Sequence, residues 1–345
     1  MAKRMTGITY REAGVDLDAA APIKNALISI VGQTHGPTVL ANSGFFAGGI
    51  DSPDDPETLI VASTDSVGTK VRIAIAAGKF QSLGKDIVNH CVNDILTTGA
   101  RPLFFLDYIG IDTADEKRIL QVAEGLRDAC KEANCSIIGG ETAFLPGVYN
   151  DGDFDLVGFI VGTVRKSDLL TPKQTIEEGD VLLGLPSSGM HTNGASLIRQ
   201  VFNIDENPDV LNERPEGLDG TLGDALLAPH RSYLDVITPI MADIRGMSHI
   251  TGGGFQENLP RVLPEGLAAQ LNRSSWEVPP LFNVIQAAGG VDEAEMFRVF
   301  NMGIGMVLIC SPERAPAVLA ATDGAWELGS VVSQSATSGN SVVIE

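Results

Sequence analysis

The run Leu59-Ile60-Val61-Ala62, which stops at Thr64-Asp65-Ser66 and then Gly68-Thr69-Lys70, narrows the folds open to this chain more than any other stretch. Buried-type residues that give way to small polar ones describe a strand crossing an interior and emptying into a loop. In sheet proteins ligands gather at such strand ends. This loop offers a carboxylate for a hard cation, a glycine that lets backbone approach a phosphate, and a lysine to meet negative charge. A strand with an ordinary polar turn is the simpler reading of the same residues. The stretch is not a Walker A loop, because Gly-Thr-Lys lacks the glycine spacing and the Lys-Ser/Thr ending.

The chain of 345 residues is long enough for two domains with sizeable cores. Its hydrophobic share of 44% and charged share of 20% are those of an ordinary globular protein. A formal net charge of -20 argues against a nucleic-acid partner or an anionic membrane surface. An anionic substrate would need a local positive field from Lys, Arg, backbone N–H groups or a metal. Met1–Thr6 is short and basic but no apolar segment of signal-peptide length follows, and no apolar run reaches membrane-spanning length. The expectation is a soluble, cytoplasmic protein. Cys91, Cys130, Cys135 and Cys310 have neither metal-ligand spacing nor the look of a disulfide framework, which suits reduced, buried thiols.

Taken in order, the segment after Thr9 becomes helical, with Ile23, Ala26, Leu27 and Ile30 on one apolar face. The Gly-rich Asn42–Gly49 reads as a loop that could fold over a ligand or simply wander on the surface. A helix over DIVNHCVNDILTTG sets Ile87, Cys91 and Ile95 on one face, with Gly99 as its stop. Asp94 borders that face and would need a cation or donors if buried. LFFLDY reads as a strand, Ala114–Asn134 as a long helix, and Ser136–Ile138 as a strand broken at Gly139-Gly140-Glu141-Thr142. Leu156–Val164 closes the first half, and the polar Lys166–Asp180 divides a domain of residues 1–165 from one of 166–345.

Beyond the boundary the pattern restarts. Strand Val181–Leu185 ends in Pro186–Gly194, PSSGMHTNG, before a helix near Ala195. His191 in this loop could serve as acid, base or positive contact, or be a surface residue. A second glycine cluster, Thr251-Gly252-Gly253-Gly254, suits an oxyanion. Trp276–Ala288 reads as a helix kinked at Pro279-Pro280, and Phe300–Met306 leads into the strand VLIC. Three carboxylates thus stand in comparable settings: Asp65 and Glu141 after strands, Asp94 at a helix border. Oxygen ligands from separate elements are what Mg²⁺ bridging nucleotide phosphates requires. From the residues alone the reading stops at a magnesium-dependent, nucleotide-using enzyme.

The motifs YREAGVDLDA (Tyr10 to Ala19), TDSVGTK (Thr64 to Lys70), CVNDI (Cys91 to Ile95), PLFFLDY (Pro102 to Tyr108) and GGETA (Gly139 to Ala143) occur in one order. SSGMHTNG (Ser187 to Gly194), HITGGGFQENLPRVLP (His249 to Pro264) and FNMGIGM (Phe300 to Met306) continue it. Together they closely resemble the aminoimidazole ribonucleotide synthetase family, the phosphoribosylformylglycinamidine cyclo-ligases of purine biosynthesis, over almost the whole chain. Two positions depart: Ser66 stands where the family commonly has Gly, and Met302 where it often has Cys, so no essential thiol is available there.

The resemblance implies an α+β, two-domain PurM-like fold, in which the N-terminal sheets of two subunits pair into a barrel-like core beside a C-terminal α/β sandwich. It implies an N-terminal ATP/Mg²⁺-binding and dimerisation domain, a C-terminal substrate-binding domain, and a homodimer with active sites at the domain and subunit junction. The implied reaction converts formylglycinamidine ribonucleotide and ATP into aminoimidazole ribonucleotide, ADP and phosphate. Asp65, Asp94 and Glu141 would hold Mg²⁺; Thr64, Gly68, Thr69 and Lys70 would line the transferring phosphoryl group. His191 with Asn193 and Gly194 would meet phosphoryl or amidine groups, and Thr251, Gly252, Gly253 and Gly254 the ribose 5-phosphate. Lys24 is a candidate nucleotide contact, and a requirement for a monovalent cation is left open.

Overall fold

A computed structural model of the chain describes residues 7–40 and 46–345. Part of the Gly-rich segment, residues 42–45, therefore lies outside the described residues. The N-terminal half contains α1 (Leu17–Gly32), β1 (Val39–Leu40), β2 (Gly48–Asp51), β3 (Thr58–Ser66), α2 (Lys70–Ala77), α3 (Gln81–Leu96), β4 (Arg101–Ile111), α4 (Glu116–Glu132), β5 (Ser136–Phe144) and β6 (Phe154–Arg165). The C-terminal half contains α5 (Pro172–Thr175), β7 (Val181–Pro186), α6 (Ala195–Val201), α7 (Leu222–Leu226), α8 (Leu234–Ile237), β8 (Gly246–His249), α9 (Gly254–Asn258) and β9 (Leu267–Leu271). It continues with α10 (Pro280–Gly289), α11 (Glu293–Val299), β10 (Ile304–Cys310), α12 (Ala315–Ala321), β11 (Trp326–Ser333) and β12 (Val342–Ile344). Each half builds one six-stranded sheet, ordered β1-β2-β3-β6-β4-β5 and β12-β9-β11-β7-β10-β8.

In the first sheet β4 and β5 run parallel and all other neighbours antiparallel. One face is covered by α3, whose Leu83, Ile87, Cys91 and Ile95 are fully buried. The hydrophobic spacing of the sequence thus produces the packed face it suggests, although the helix begins earlier, at Gln81. α4 lies beside α3, capped at its start by Asp115, whose carboxylate accepts from Arg118 N at 3.0 Å. The two helices approach closely because Gly84 and Gly125 face one another; a Cβ on Gly125 would overlap the Gln81 carbonyl. Gly125→Ala must push α4 from α3, and an overpacking cost of about 1–3 kcal/mol is expected in urea unfolding. A neutral result would mean that the crossing yields freely.

The opposite face of this sheet is bare. Leu103 (54% exposed), Ile138 (62%) and Phe159 (39%) stand in solvent in the single chain. The apolar side of α1 is likewise uncovered, with Ile23, Leu27 and Ile30 all exposed.

Three expected boundaries shift. β3 continues through Thr64 and Asp65 to Ser66, and β5 runs on through Gly139, Gly140 and Glu141 to Phe144, so both carboxylates sit within strands and not in loops. The expected kinked helix at Trp276–Ala288 is instead a helix that begins at Pro280, where proline's missing N–H costs no intrahelical bond.

Candidate active site at the seam between the two sheets

The strand β3 and the helix α3 carry their polar groups to a seam with the C-terminal half. There the backbone of residues 228–233 lies along α3 and is fastened to it. Asn89 Nδ2 donates to His230 O at 2.7 Å, and Asn93 Nδ2 to Arg231 O at 2.8 Å. His230 N donates to Asp86 Oδ1 at 2.7 Å, and Tyr233 N to Asn93 Oδ1 at 3.0 Å. These bonds satisfy backbone groups that would otherwise be buried without partners.

Lys70 is drawn into the same seam. Its ammonium lies 2.8 Å from Asp86 Oδ2 as a close charge pair, and donates to Ala228 O at 3.1 Å. Both charged side chains are 0% exposed. Burial pushes the Asp86 carboxyl upward against the pull of Lys70. The sequence expectation that Lys70 lines the phosphoryl group is therefore corrected: the first residue of α2 points into the interior, and its charge is consumed by a buried partner.

Asp65 and Asp94 do converge, around His90 on α3. His90 Nε2 is 2.9 Å from Asp65 Oδ2 and 3.9 Å from Asp94 Oδ2, while its Nδ1 is 2.8 Å from Thr192 Oγ1. Burial alone would lower the basicity of His90, but Asp65 and then Asp94 and Asp86 raise it to about 9. Burial raises Asp65 as well, and the His90 charge and hydrogen bond outweigh that and hold it below the usual carboxylate range. Asp94 is buried; its Oδ2 accepts from Ser63 Oγ at 3.1 Å and its Oδ1 lies 2.8 Å from His249 Nδ1. The two carboxylates thus face one buried imidazolium, which offsets part of their charge; Mg²⁺ commonly takes one or two protein carboxylates and completes its shell with phosphate and water.

Glu141 does not join them within this chain. It is exposed on the edge strand β5, paired with Tyr108, with β4 and β6 between it and β3. At about 4.8 Å per strand that separation is roughly 14 Å. The third carboxylate expected from the sequence is thus placed apart, because the glycines before it extend the strand and do not end it.

The remaining expected residues lie on several elements. Thr64 is exposed and donates to Gly158 O at 2.9 Å; Gly68 adopts φ +54°; Thr69 Oγ1 lies 2.8 Å from Ser196 Oγ on α6. Asn193 and Gly194 adjoin the second glycine loop, since a Cβ on Gly252 would lie 3.0 Å from Asn193 Oδ1. That loop, Thr251 to Gly254, is held by Asn258 Nδ2, which donates to Gly254 O at 2.8 Å and to Gly252 O at 3.3 Å. Lys24 is exposed on α1. His191 is buried, not presented by an open loop: its Nε2 accepts from Ser188 N at 3.2 Å and its ring stacks on His230 at 3.8 Å. Burial keeps His191 and His230 neutral well below neutral pH. Met302 is also buried and accepts from Trp276 Nε1 at 3.1 Å.

A cleft of about 320 Å³ is lined by Phe46, Ala47, Gly48, Ala62, Ser63, Thr64 and Phe159; neither Asp65 nor Asp94 lines it, although Ser63 donates to Asp94. A larger one of about 460 Å³, around Arg101, Asp168 and Thr238, touches neither carboxylate and has no convergent chemistry. Sequence reasoning missed His90, His230, His249 and Arg261, whose guanidinium sits 4.9 Å over the Phe46 ring. The one available signal was scarcity: the chain has only five histidines, and four of them meet here.

Among curated proteins, the chain is 45% identical over 337 residues to a phosphoribosylformylglycinamidine cyclo-ligase of Desulfitobacterium hafniense, spanning 95% of this chain and 98% of that one. It is 46% identical over 335 residues to the protein of the same name from Sorangium cellulosum, across 94% and 96% of the two chains. Among solved structures it is similar to thiamine-monophosphate kinase from Stenotrophomonas maltophilia, with a TM-score of 0.63 at 14% identity, covering 93% of this chain and 95% of that one. A protein from Thermus thermophilus gives a TM-score of 0.62 at 21% identity, with 93% and 95% covered. These two likenesses show a shared fold. Residues 47–164 match the N-terminal domain of AIR synthase related proteins and residues 177–340 their C-terminal domain, so the chain belongs to the AIR synthase related family of two-domain α+β enzymes.

Proposed function

We propose that this chain is a phosphoribosylformylglycinamidine cyclo-ligase: it uses ATP to close formylglycinamidine ribonucleotide into aminoimidazole ribonucleotide, releasing ADP and phosphate. The observation that carries this reading is full-length similarity to proteins of that name, joined to the convergence of Asp65 and Asp94 at the seam between the two sheets. Transfer of phosphate to the formyl oxygen turns a poor leaving group into a good one, and the amidine nitrogen then closes the ring. Such chemistry rests on positioning and charge neutralisation more than on a protein nucleophile. Asp65 and Asp94 would hold Mg²⁺, which when bound supplies charge neutralisation at the phosphates. Gly68 and Thr69 would present backbone and hydroxyl groups to the transferring phosphoryl. Asn193, Gly194 and the Thr251–Gly254 loop would orient the ribonucleotide. Lys70 would act indirectly, by fixing the loop that begins α2.

The bare sheet face supports a second copy of the chain as partner. Pairing through Leu103, Ile138 and Phe159 would cover apolar surface and carry β5 to the neighbouring subunit, so that Glu141 would serve the neighbour's nucleotide and not its own. Sedimentation is expected to show a dimer, and the double variant Leu103→Glu/Phe159→Glu to shift it to monomer. A wild-type monomer at micromolar concentration would remove this arrangement.

Product analysis tests the reaction. ADP release should require formylglycinamidine ribonucleotide and be matched by free phosphate and by an aminoimidazole that gives a diazo colour. A stable phosphorylated product would instead indicate a small-molecule kinase on the same scaffold. ATP binding with no substrate-stimulated ADP release would indicate a non-catalytic nucleotide-binding protein.

A further inference from the structure

Where α4 hands over to β5, the chain closes a tight turn with a cysteine at each end. Cys135 N donates to Cys130 O at 2.8 Å and Asn134 N to Lys131 O at 3.1 Å, with Asn134 in the left-handed region at φ 49°. This nested pair of bonds is the Schellman ending of a helix, in which the residues joined by the outer bond bring their side chains together. Here both are cysteines, and their thiols hydrogen-bond to one another. We infer that Cys130 and Cys135 form an oxidation site, at which a peroxide converts two thiols into a disulfide that a thiol reductant reopens.

The turn already holds the spacing that such a bond needs. The path Cα–C–O···N–Cα through a 2.8 Å hydrogen bond, bent at each atom, leaves the two Cα atoms about 5–6 Å apart. Disulfides span about 4.4–6.8 Å between Cα atoms. The pair also has a polarity. The hydrogen bond with Cys130 holds the Cys135 thiol below its usual value against burial, and the same contact, with burial, pushes Cys130 up. Position agrees with this: Cys135 stands between exposed Asn134 and Ser136 and is 7% exposed, whereas Cys91 and Cys310 are at 0%. Fraying of the last helical turn is enough to admit a small oxidant. The Cys135 thiolate attacks one oxygen of hydrogen peroxide, the O–O bond breaks, and the departing hydroxide takes up the thiol's proton as water. Cys130 sulfur then attacks the Cys135 sulfenic acid, the S–O bond breaks, and the second hydroxide takes the Cys130 proton. Two thiols lose two electrons and two protons, and one peroxide becomes two waters. The link ties the end of α4 to the residue before β5, the strand that carries Glu141. The inference does not depend on the reaction proposed above.

The folded full-length chain, reduced and then exposed to hydrogen peroxide, provides the test. Thiols counted in denaturant are expected to fall from four to two, and to return to four with dithiothreitol. Trypsin cleaves after Lys131, so the peptides bearing Cys130 and Cys135 should stay joined until reduced. In Cys130→Ser the sulfenic acid on Cys135 should persist and take a dimedone label. In Cys135→Ser, Cys130 should remain an unlabelled thiol, with circular dichroism confirming that both variants are folded. A merely structural contact predicts neither the joined peptides nor the difference between the variants. Four thiols surviving in wild type, a link from Cys130 to Cys91 instead, or label on Cys130 in Cys135→Ser would each overturn the site. Wild-type protein decides the matter if a variant does not fold.

Discussion

Asp65→Asn is expected to lower turnover by at least about 10²–10³-fold, the scale of losing one electrostatic contact made to a transition state, while the protein stays folded. The side chain keeps its size, and the strand bonds that place it, in register with Gly158 of β6, are made by backbone. The amide oxygen can still accept from His90, but the negative charge needed for a divalent cation is gone. Steady-state ADP release alongside circular dichroism checks both halves of the statement, and near-normal activity would remove Asp65 from the site. The substitution has a second signature. His90 is raised from 6.5 to about 9, with Asp65 as the largest cause acting upward. A raised histidine contributes stability that is fully present below 6.5 and is lost as pH rises through about 9. Wild-type urea midpoints should therefore fall across that window. In Asp65→Asn the fall should be smaller and should be complete at lower pH.

Lys70→Met is expected to cost about 3–5 kcal/mol of stability, the range for removing one partner of a buried ion pair. Asp86 would remain in the interior with no directly paired counter-charge and the His230 N–H as its hydrogen-bond donor. Urea unfolding with an unchanged slope would identify the loss as stability and not as a change in compactness. The double variant Lys70→Met/Asp86→Asn is expected to regain most of it, because an amide still accepts the His230 bond and needs no cation. A loss below about 1 kcal/mol in the single variant would show that the pair does not hold the seam.

Local patterns carried much of the fold. The apolar spacing of α3, the Asp cap of α4 and the restart of strand and helix after residue 180 follow from residues close in sequence. The strand ends were not legible in the same way. Glycine followed by a polar residue reads as a terminator, yet Gly140 lies inside β5 because a Cβ there would come within 2.5 Å of Asp107 Oδ1 on the neighbouring strand. It is small because β4 is close, and that is a fact of pairing. The same limit applies to the site. Asp65 and Asp94 announced themselves by chemistry and position. The fate of Lys70 is set by Asp86, on the next helix of the same half, and that of His191 by His230, each only once the chain is folded.

The fastening of α3 to residues 228–233 has a consequence for how the molecule can move. With three side chains making four hydrogen bonds and a buried ammonium bridging the same few ångströms, the halves cannot swing open like a clamshell without stripping donors and acceptors into a dry gap. Entry and exit of reactants must fall to smaller pieces of chain. For the same reason, severing the polypeptide between residues 165 and 177 should yield two fragments that are sticky apart and recombine when mixed.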